Sequence, residues 1–302
     1  MVYFLVMNWW HNVRKGPVET RTATSTDRPA LAALLANSWR RHGPLAVEEQ
    51  VTLLNSGVSV IGFEGDNATG FLGLSVRAPA GDPAEHWVDV ALVALAAGYA
   101  ADRTITQLLR TALPALRAQH ATGLVCLSAE EWWHKALTIV GFVEVDQVIS
   151  YAHTGRRPLP TSPATATLRP AGPAEADTVL RLNAAAFAPF WRYDPTKMLC
   201  WMLTADHAVL AEVDGQPVGF ALTTSASNSE YAQLIRVATD PAARGRGIGL
   251  QMVTDALRHS RKIGAPGLAL NTQASNVGSR RMYEELGFHT IGHAVAVLVY
   301  PL

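Results

Sequence analysis

Apolar and polar positions alternate in short runs separated by helical stretches, and the same succession occurs twice. In the second half, Thr165–Arg169 reads as a strand and Pro173–Phe187 as a helix with apolar positions at Val179, Leu180 and Leu182. An aromatic-rich segment follows, from Phe190, Trp191 and Tyr193 to Trp201. Ala208–Val213 and Val218–Thr224 are strands joined by Asp214-Gly215-Gln216-Pro217, a hairpin signal. Then come a strand over Tyr231–Thr239, a glycine-rich turn, a helix from Leu250 to about Lys262, a strand at Gly267–Thr272, a helix at Val277–Leu286 and one or two strands within His289–Tyr300. In the first half, Pro29–Trp39, Thr104–Gln119 and Glu131–Val140 read as helices. Val58–Glu64, Thr69–Val76, Trp87–Leu95, Gly123–Leu127 and Glu144–Tyr151 read as strands.

The parallel reaches individual residues. Ala112-Leu113 and Gly123-Leu124 recur 144 positions later as Ala256-Leu257 and Gly267-Leu268. Gly141-Phe142 recurs after 146 positions as Gly287-Phe288, and Gly70-Phe71 after 149 as Gly219-Phe220. Slowly drifting offsets with a shared element order predict two copies of one α/β (α+β) domain, each a mixed, mostly antiparallel sheet flanked by helices. The Pro-, Ser- and Thr-rich stretch 153–164 separates them as a linker. The expected organisation is an N-terminal arm over 1–20, a first domain over 21–152, the linker, and a second domain over 165–302.

Composition narrows the function. A chain of 302 residues has room for two cores, and with 49% hydrophobic and 17% charged residues it reads as globular. Lys plus Arg equals Asp plus Glu at 25, which argues against a nucleic-acid partner held by overall charge. Cys126 and Cys200 cannot build a disulfide framework, no CxxC, HExxH or HxH occurs, and no metal is expected. No apolar run is long enough to span a membrane. The apolar start Met1–Trp10 lacks a basic lead and a cleavage site, so it reads as an arm, and the expected compartment is the cytoplasm.

Two segments carry chemistry. In Leu234–Leu250 a β-branched strand runs through Asp240-Pro241 into Arg244-Gly245-Arg246-Gly247-Ile248-Gly249 and then an amphipathic helix. A glycine turn opening a helix exposes main-chain N–H groups to an anion, and two arginines add positive charge. No Lys-Ser or Lys-Thr follows for a P-loop, and the glycine spacing is one residue short of a dinucleotide fingerprint. In Leu270–Phe288, helical spacing places Asn276, Arg280 and Tyr283 on one face with the small Ser279, and Gly287 ends the helix.

Residues 166–302 thereby resemble a GNAT N-acetyltransferase. The R/Q-x-x-G-x-G/A loop is present at Arg244–Gly249, and N-x-x-A-x-x-x-Y-x-x-x-G-F at Asn276–Phe288, with Ser279 in place of Ala. The resemblance implies acetyl-CoA as co-substrate and a primary amine of a small molecule, or a protein or peptide amine, as acceptor. It further implies a diphosphate site at Arg244, Gly245, Arg246, Gly247, Ile248 and Gly249. Val237, Ala238 and Thr239 would bind the pantetheine arm through their main chain, Asn276 would bond that arm or align the helix, and Tyr283 would be the general acid. A protonated phenol suits that role at pH 7. For the general base the sequence offers Glu230, and Gln233 as a holder of water. The offset of 144 sets the glycine-free Ala100–Ile105 opposite Arg244–Gly249. The offset of 146 sets Leu137 opposite Tyr283 and Glu130 opposite Asn276. The first copy therefore resembles a degenerate domain that lacks the site and helps shape an acceptor cleft. The other class of function left open is a non-catalytic acetyl-CoA sensor or scaffold. Oligomeric state is not legible.

Overall fold

The computed structural model describes residues 19–43, 46–77, 85–154, 159, 165–225 and 231–302. Glu230, the Met1–Trp10 arm and most of the linker lie outside them. The described residues form two compact units, one from 19–77, 85–145 and 296–302, the other from 146–225 and 231–295.

The first unit contains β1 (Glu19–Thr22), α1 (Arg28–Ala36), β2 (Arg40–His42), α2 (Val47–Leu54), β3 (Val60–Glu64), β4 (Asn67–Val76), β5 (Trp87–Leu95), α3 (Ala101–Ala118), β6 (Gly123–Ser128) and α4 (Glu131–Val140). Its strands pair in the order β1-β3-β4-β5-β6, with β2 on β5, and only β5 and β6 are parallel. Ile105, Leu108, Leu109, Ala112 and Leu116 of α3 recur at helical spacing and are buried on one sheet face, where Trp133 of α4 joins them. Leu31, Leu34 and Leu35 of α1 fill a second cluster with Phe71 and Leu92.

The second unit repeats the plan. It contains β7 (Val143–Thr154) from Asp146 onward, β8 (Thr167–Pro170), α5 (Ala176–Ala186), α6 (Pro195–Thr204), β9 (His207–Val213), β10 (Gln216–Thr224), β11 (Ala232–Thr239), α7 (Ile248–Lys262), β12 (Gly267–Gln273), α8 (Val277–Glu285) and the first part of β13 (His289–Pro301). Its strand order, β8-β9-β10-β11-β12-β7, mirrors that of the first unit, and again one pair, β11 and β12, is parallel.

The expected boundaries require three corrections. Glu19 and Thr20, assigned to an arm, belong to β1 and pair with Phe63 and Gly62. Residues 146–152 were placed with the first domain, and His153 and Thr154 with the linker. In the structure Val148–Thr154 pairs with Gln273–Gly267, so this stretch is a strand of the second unit. Conversely, Ala296–Pro301 pairs with Ser128–Gly123 of the first unit. Each sheet is thus completed by a strand from the other half of the sequence. A single cut along the chain cannot express that, because strand pairing is set by register between distant segments.

Four elements escaped the periodicity: β1, β2, α2 and α6. For α6 a start signal is nevertheless present. Asp194 caps it, Oδ1 accepting from Lys197 N at 2.9 Å, and Pro195 occupies the first turn.

A pair of stacked imidazoles ties α7 to β9. The rings of His207 and His259 lie 4.2 Å apart and nearly parallel, and His207 Nε2 is 2.7 Å from Asp255 Oδ2. Burial first, and then the neighbouring His207, hold His259 below the usual imidazole value of 6.5, against weaker opposing effects of Asp206 and Asp255. The unfolded chain therefore takes up this proton first, and the contribution to stability falls as pH drops below about 6.5. Urea unfolding at pH 7.5 and 5.5 should show a loss of midpoint that is smaller in His259→Gln; equal losses in both proteins would refute this.

Candidate active site

β11 and β12 pair over three rungs only, Ala232–Leu234 with Leu268–Leu270. Beyond Leu234 the two strands part, while β11 stays on β10 as far as Thr239. Asp240 N donates to Val218 O at 2.8 Å, which fixes the phase of that antiparallel ladder. By alternation the N–H and C=O groups of Val237 and Thr239 point away from β10, into the gap. Thr239 O meets Arg244 Nε there at 3.4 Å.

The turn after β11 is built for a bare helix start. Asp240 Oδ1 accepts from Ala242 N at 3.0 Å. Gly245 and Gly247 have φ of +75° and +78°, the left-handed region that favours glycine. Gly247 is the N-cap of α7 and has no side chain to accept from the first-turn amides, so these remain available to an anion. The helix begins at Ile248, two residues before the expected Leu250, which puts Ile248 and Gly249 in its first turn. Arg244 Nη2 donates to Ala186 O at 2.8 Å. Arg246 is exposed and has no hydrogen-bond partner among the described residues.

These elements enclose a cavity of about 750 Å³ within the second unit. It is lined by Val237, Ala238 and Thr239 of β11, by Arg244, Gly245, Gly247, Ile248 and Gly249 of the turn and the start of α7, and by Asn276, Ser279 and Tyr283 at α8. Arg246 does not line it. Gln273, Ser275 and Met282 also line it, as do Phe187, Ala188 and Trp191. Part of the expected aromatic segment therefore borders the cavity.

Asn276 is the cap of α8 rather than a member of its face, which corrects the helical-face expectation. Its Oδ1 accepts from Ser279 N at 3.4 Å and its Nδ2 donates to Thr272 Oγ1 at 3.3 Å. Asn276→Ala should cost about 1 kcal/mol of stability, the usual worth of an N-cap, read as a lowered urea midpoint. An unchanged midpoint would contradict the capping role.

Tyr283 is 4% exposed. Burial pushes its phenol up to about 12, against a hydrogen bond with Ser279 that works the other way. It is supported from behind by the rings of Phe288 and Tyr151, with centroids 5.7 and 6.1 Å away. Tyr151 is fully buried on β7 and its hydroxyl donates to Glu284 Oε1 at 2.9 Å, while Arg280 Nε donates to Tyr151 Oη at 3.3 Å. The spacing rule places Arg280 beside Tyr283; the structure turns Arg280 to Tyr151 and to Ala274 O, at 3.0 Å.

Arg236 is a further polar residue beside the cavity, outside both sequence motifs. It lies mid-strand on β11, on the face toward α5 and α6. Its Nε and Nη2 donate to Asn183 Oδ1 at 3.3 and 3.0 Å, and Nη2 donates to Trp191 O at 2.5 Å. Its guanidinium carbon is 3.5 Å from the Phe187 ring centroid and 4.3 Å from that of Tyr193. Burial pulls it down to about 10, with Tyr193 opposing. An arginine inside an otherwise apolar strand run was the available signal.

Of the two base candidates, Glu230 lies outside the described residues, and Gln233 is on β11 opposite Ala269 and Thr224, away from the cavity lining. Among the described residues no carboxylate or imidazole lines the cavity, and no group of His, Cys, Asp or Glu could hold a metal. In the first unit, α3 starts at Ala101 with Ala100 as its N-cap and no glycine in its first turn, the only glycine of the preceding turn being Gly98, and Leu137, opposite Tyr283 in the repeat, is buried core. Glu130 makes no side-chain cap; its Oε2 lies 3.1 Å from His42 Nδ1.

A splayed parallel strand pair, a glycine turn opening a helix and a second helix bearing a tyrosine define an acetyltransferase fold. The model of the acetyltransferase (GNAT) family matches residues 176–288. The chain belongs to this family: it is an acyl-CoA-dependent N-acyltransferase with two GNAT-type units in tandem. A mycothiol acetyltransferase of Streptomyces avermitilis is 30% identical over 297 residues, 90% of this chain and 92% of that one. A mycothiol acetyltransferase of Thermomonospora curvata is 33% identical over 146 residues, 43% of this chain and 47% of that one. Among solved structures, a GCN5-related N-acetyltransferase from Sphaerobacter thermophilus matches with a TM-score of 0.59 at 18% identity, covering 95% of this chain and 97% of that one. A tandem GNAT protein from the clavulanic acid biosynthesis pathway matches at 0.58 and 16% identity, covering 94% and 98%. At these identities the structural matches show the fold. No helix among the described residues is long and apolar enough to cross a membrane.

Proposed function

We propose that the second unit transfers an acetyl group from acetyl-CoA to a primary amine of a small molecule, by direct attack in a ternary complex. The observation that carries this reading is the convergence on one cavity of free strand main chain, a side-chain-free helix start and a buried, protonated tyrosine. The amides of the Gly245–Gly249 turn and the α7 start bind the diphosphate, with Arg246 free to add charge. The main chain of Val237 and Thr239 hydrogen-bonds the pantetheine arm, and an N–H of the parted strand polarises the thioester carbonyl. The neutral amine attacks that carbonyl carbon, the carbon–sulfur bond breaks, and Tyr283 gives its proton to the departing sulfur. The proton lost by the attacking nitrogen leaves through water and restores Tyr283, so amine and thioester become amide and thiol. Glu230 is retained as the candidate base. Dependence on acetyl-CoA places the reaction in the cytoplasm, and the first unit is read as a copy without a site.

The name of the Streptomyces avermitilis relative, which this chain matches along nearly its whole length, favours a small-molecule acceptor over a peptide. Calorimetric titration with acetyl-CoA, followed by thiol release across a panel of small amines and N-terminal peptides, tests the reading. One site per chain and turnover with a small amine are expected. No binding overturns it, two sites overturn the silent first unit, and turnover with peptides alone transfers the acceptor class to proteins.

A further inference from the structure

Amine acetylation needs an unprotonated nitrogen, yet an alkyl ammonium with a pKa near 10 is almost wholly charged at neutral pH. Among the described residues the cavity wall offers no carboxylate or imidazole to take that proton. It does have a half-buried cation behind it. Arg236 is bonded to the neutral acceptors Asn183 Oδ1 and Trp191 O and packed on Phe187 and Tyr193, and no carboxylate among the described residues pairs with it. Phe187, Trp191 and the neighbouring Val237 all line the cavity, so one aromatic layer separates the guanidinium from it. Arg236 also sits two residues past Leu234, where β11 leaves β12 and the cavity opens between them.

No charged side chain among the described residues forms an ion pair with Arg236. The α5 residue Arg181 donates to Pro217 O. On the segment leading into α6, Arg192 Nε donates to Phe187 O and Asp194 caps α6, and Lys197 of α6 has its Nζ 5.2 Å from the Tyr193 ring centroid. Asp177 opens α5, and the cavity itself adds Arg244 and the neutral Tyr283.

We propose that Arg236 is a positioning charge that keeps the bound acceptor amine in its neutral, attacking form. A positive charge one side-chain layer from the cavity disfavours an ammonium there and raises the neutral fraction of a bound amine on the order of tenfold. The proton leaves to water, which needs no base on the wall. The cation also selects its acceptors: a permanently charged quaternary ammonium is repelled, whereas a primary amine escapes by losing its proton. The inference rests on the acetyl-CoA reading of the cavity.

The test separates the two. The probe is S-(2-aminoethyl)-CoA, ¹³C-labelled in the aminoethyl arm, which carries an amine to the transfer point without knowledge of the natural acceptor. Its titration is followed by NMR on the full chain, free and bound, for wild type, Arg236→Met and Arg236→Lys. Acetyl-CoA binding by calorimetry is run in parallel. In wild type the bound amine should lose its proton at least one pH unit below the free probe. Arg236→Met should abolish that displacement, and Arg236→Lys, which keeps the charge but not the fork, should retain most of it. A bound amine that titrates like the free one, or a displacement that survives in Arg236→Met, overturns the proposal. So does refusal of the probe at pH 10 by a protein that binds acetyl-CoA. If Arg236→Met does not fold, loss of the displacement in Arg236→Lys overturns it equally. Failure of acetyl-CoA itself to bind sinks the underlying site reading instead.

Discussion

Gly247→Asp is expected to weaken acetyl-CoA binding at least about a hundredfold, to the point where calorimetry on the full chain records no saturable heat. Two effects act together. Gly247 has φ of +78°, where a side chain costs roughly 1 kcal/mol, although Asp is among the residues that tolerate this region best. The larger effect is charge. The residue is the N-cap of α7, so its carboxylate would accept from the first-turn amides that are otherwise open to the diphosphate, and would face that anion. Two like charges about 4 Å apart near a protein surface repel by about 4 kcal/mol before screening by salt, and a loss of about 2.7 kcal/mol is already a hundredfold. Gly247→Ala separates the contributions: it carries the backbone strain without the charge and should lose only about five- to tenfold. An Asp variant that binds like wild type would remove the diphosphate from this turn. Because an Asp N-cap supports a helix, the urea midpoint should fall little, which distinguishes lost binding from lost folding.

Tyr283→Phe is expected to lower kcat about a hundredfold or more while the acetyl-CoA dissociation constant changes less than about threefold. The phenol is buried and held up at about 12, so it is protonated at every pH where the protein works and can give its proton only to a strongly basic, departing sulfur. Phe keeps the ring packing against Tyr151 and Phe288 and removes only the hydroxyl and its bond with Ser279. The same value sets the pH profile: wild-type kcat should not fall on the alkaline side through loss of this proton below about pH 11. A kcat that survives the substitution would favour a protein that binds acetyl-CoA as a ligand and would move the proton donor elsewhere. A parallel loss of binding would make Tyr283 a structural support of the cavity.

The local parts of the site were legible because they are written in short segments. The glycine run of Gly245 to Gly249 announces a helix start with bare amides, since only glycine takes two positive φ values in three residues without strain. The spacing from Asn276 to Tyr283 places a cap and a buried phenol on one short helix. The signal for Asn276 was misread in one respect: the residue was expected on the face of the helix and is its cap, a distinction that depends on where the helix begins rather than on its period.

What the linear pattern could not express is pairing between distant segments. Tyr151, read as the end of a first-domain strand, is a fully buried support of Tyr283, because Val148–Thr154 takes its register from Gln273–Gly267. Arg236 looks like one charged residue in an apolar strand, and only the fold brings Asn183, Phe187, Trp191 and Tyr193 around it. Torsion preference and hydrophobic period along a few residues set the repeated order of strands and helices, the glycine turn that opens α7 and the position of Tyr283 on α8, and these are legible in the sequence. Which strand completes each sheet, where β11 parts from β12 to open the cavity, and which half-buried charge stands beside it are set only by the fold. Those depend on register and side-chain burial between segments far apart in the chain, and no local propensity encodes them.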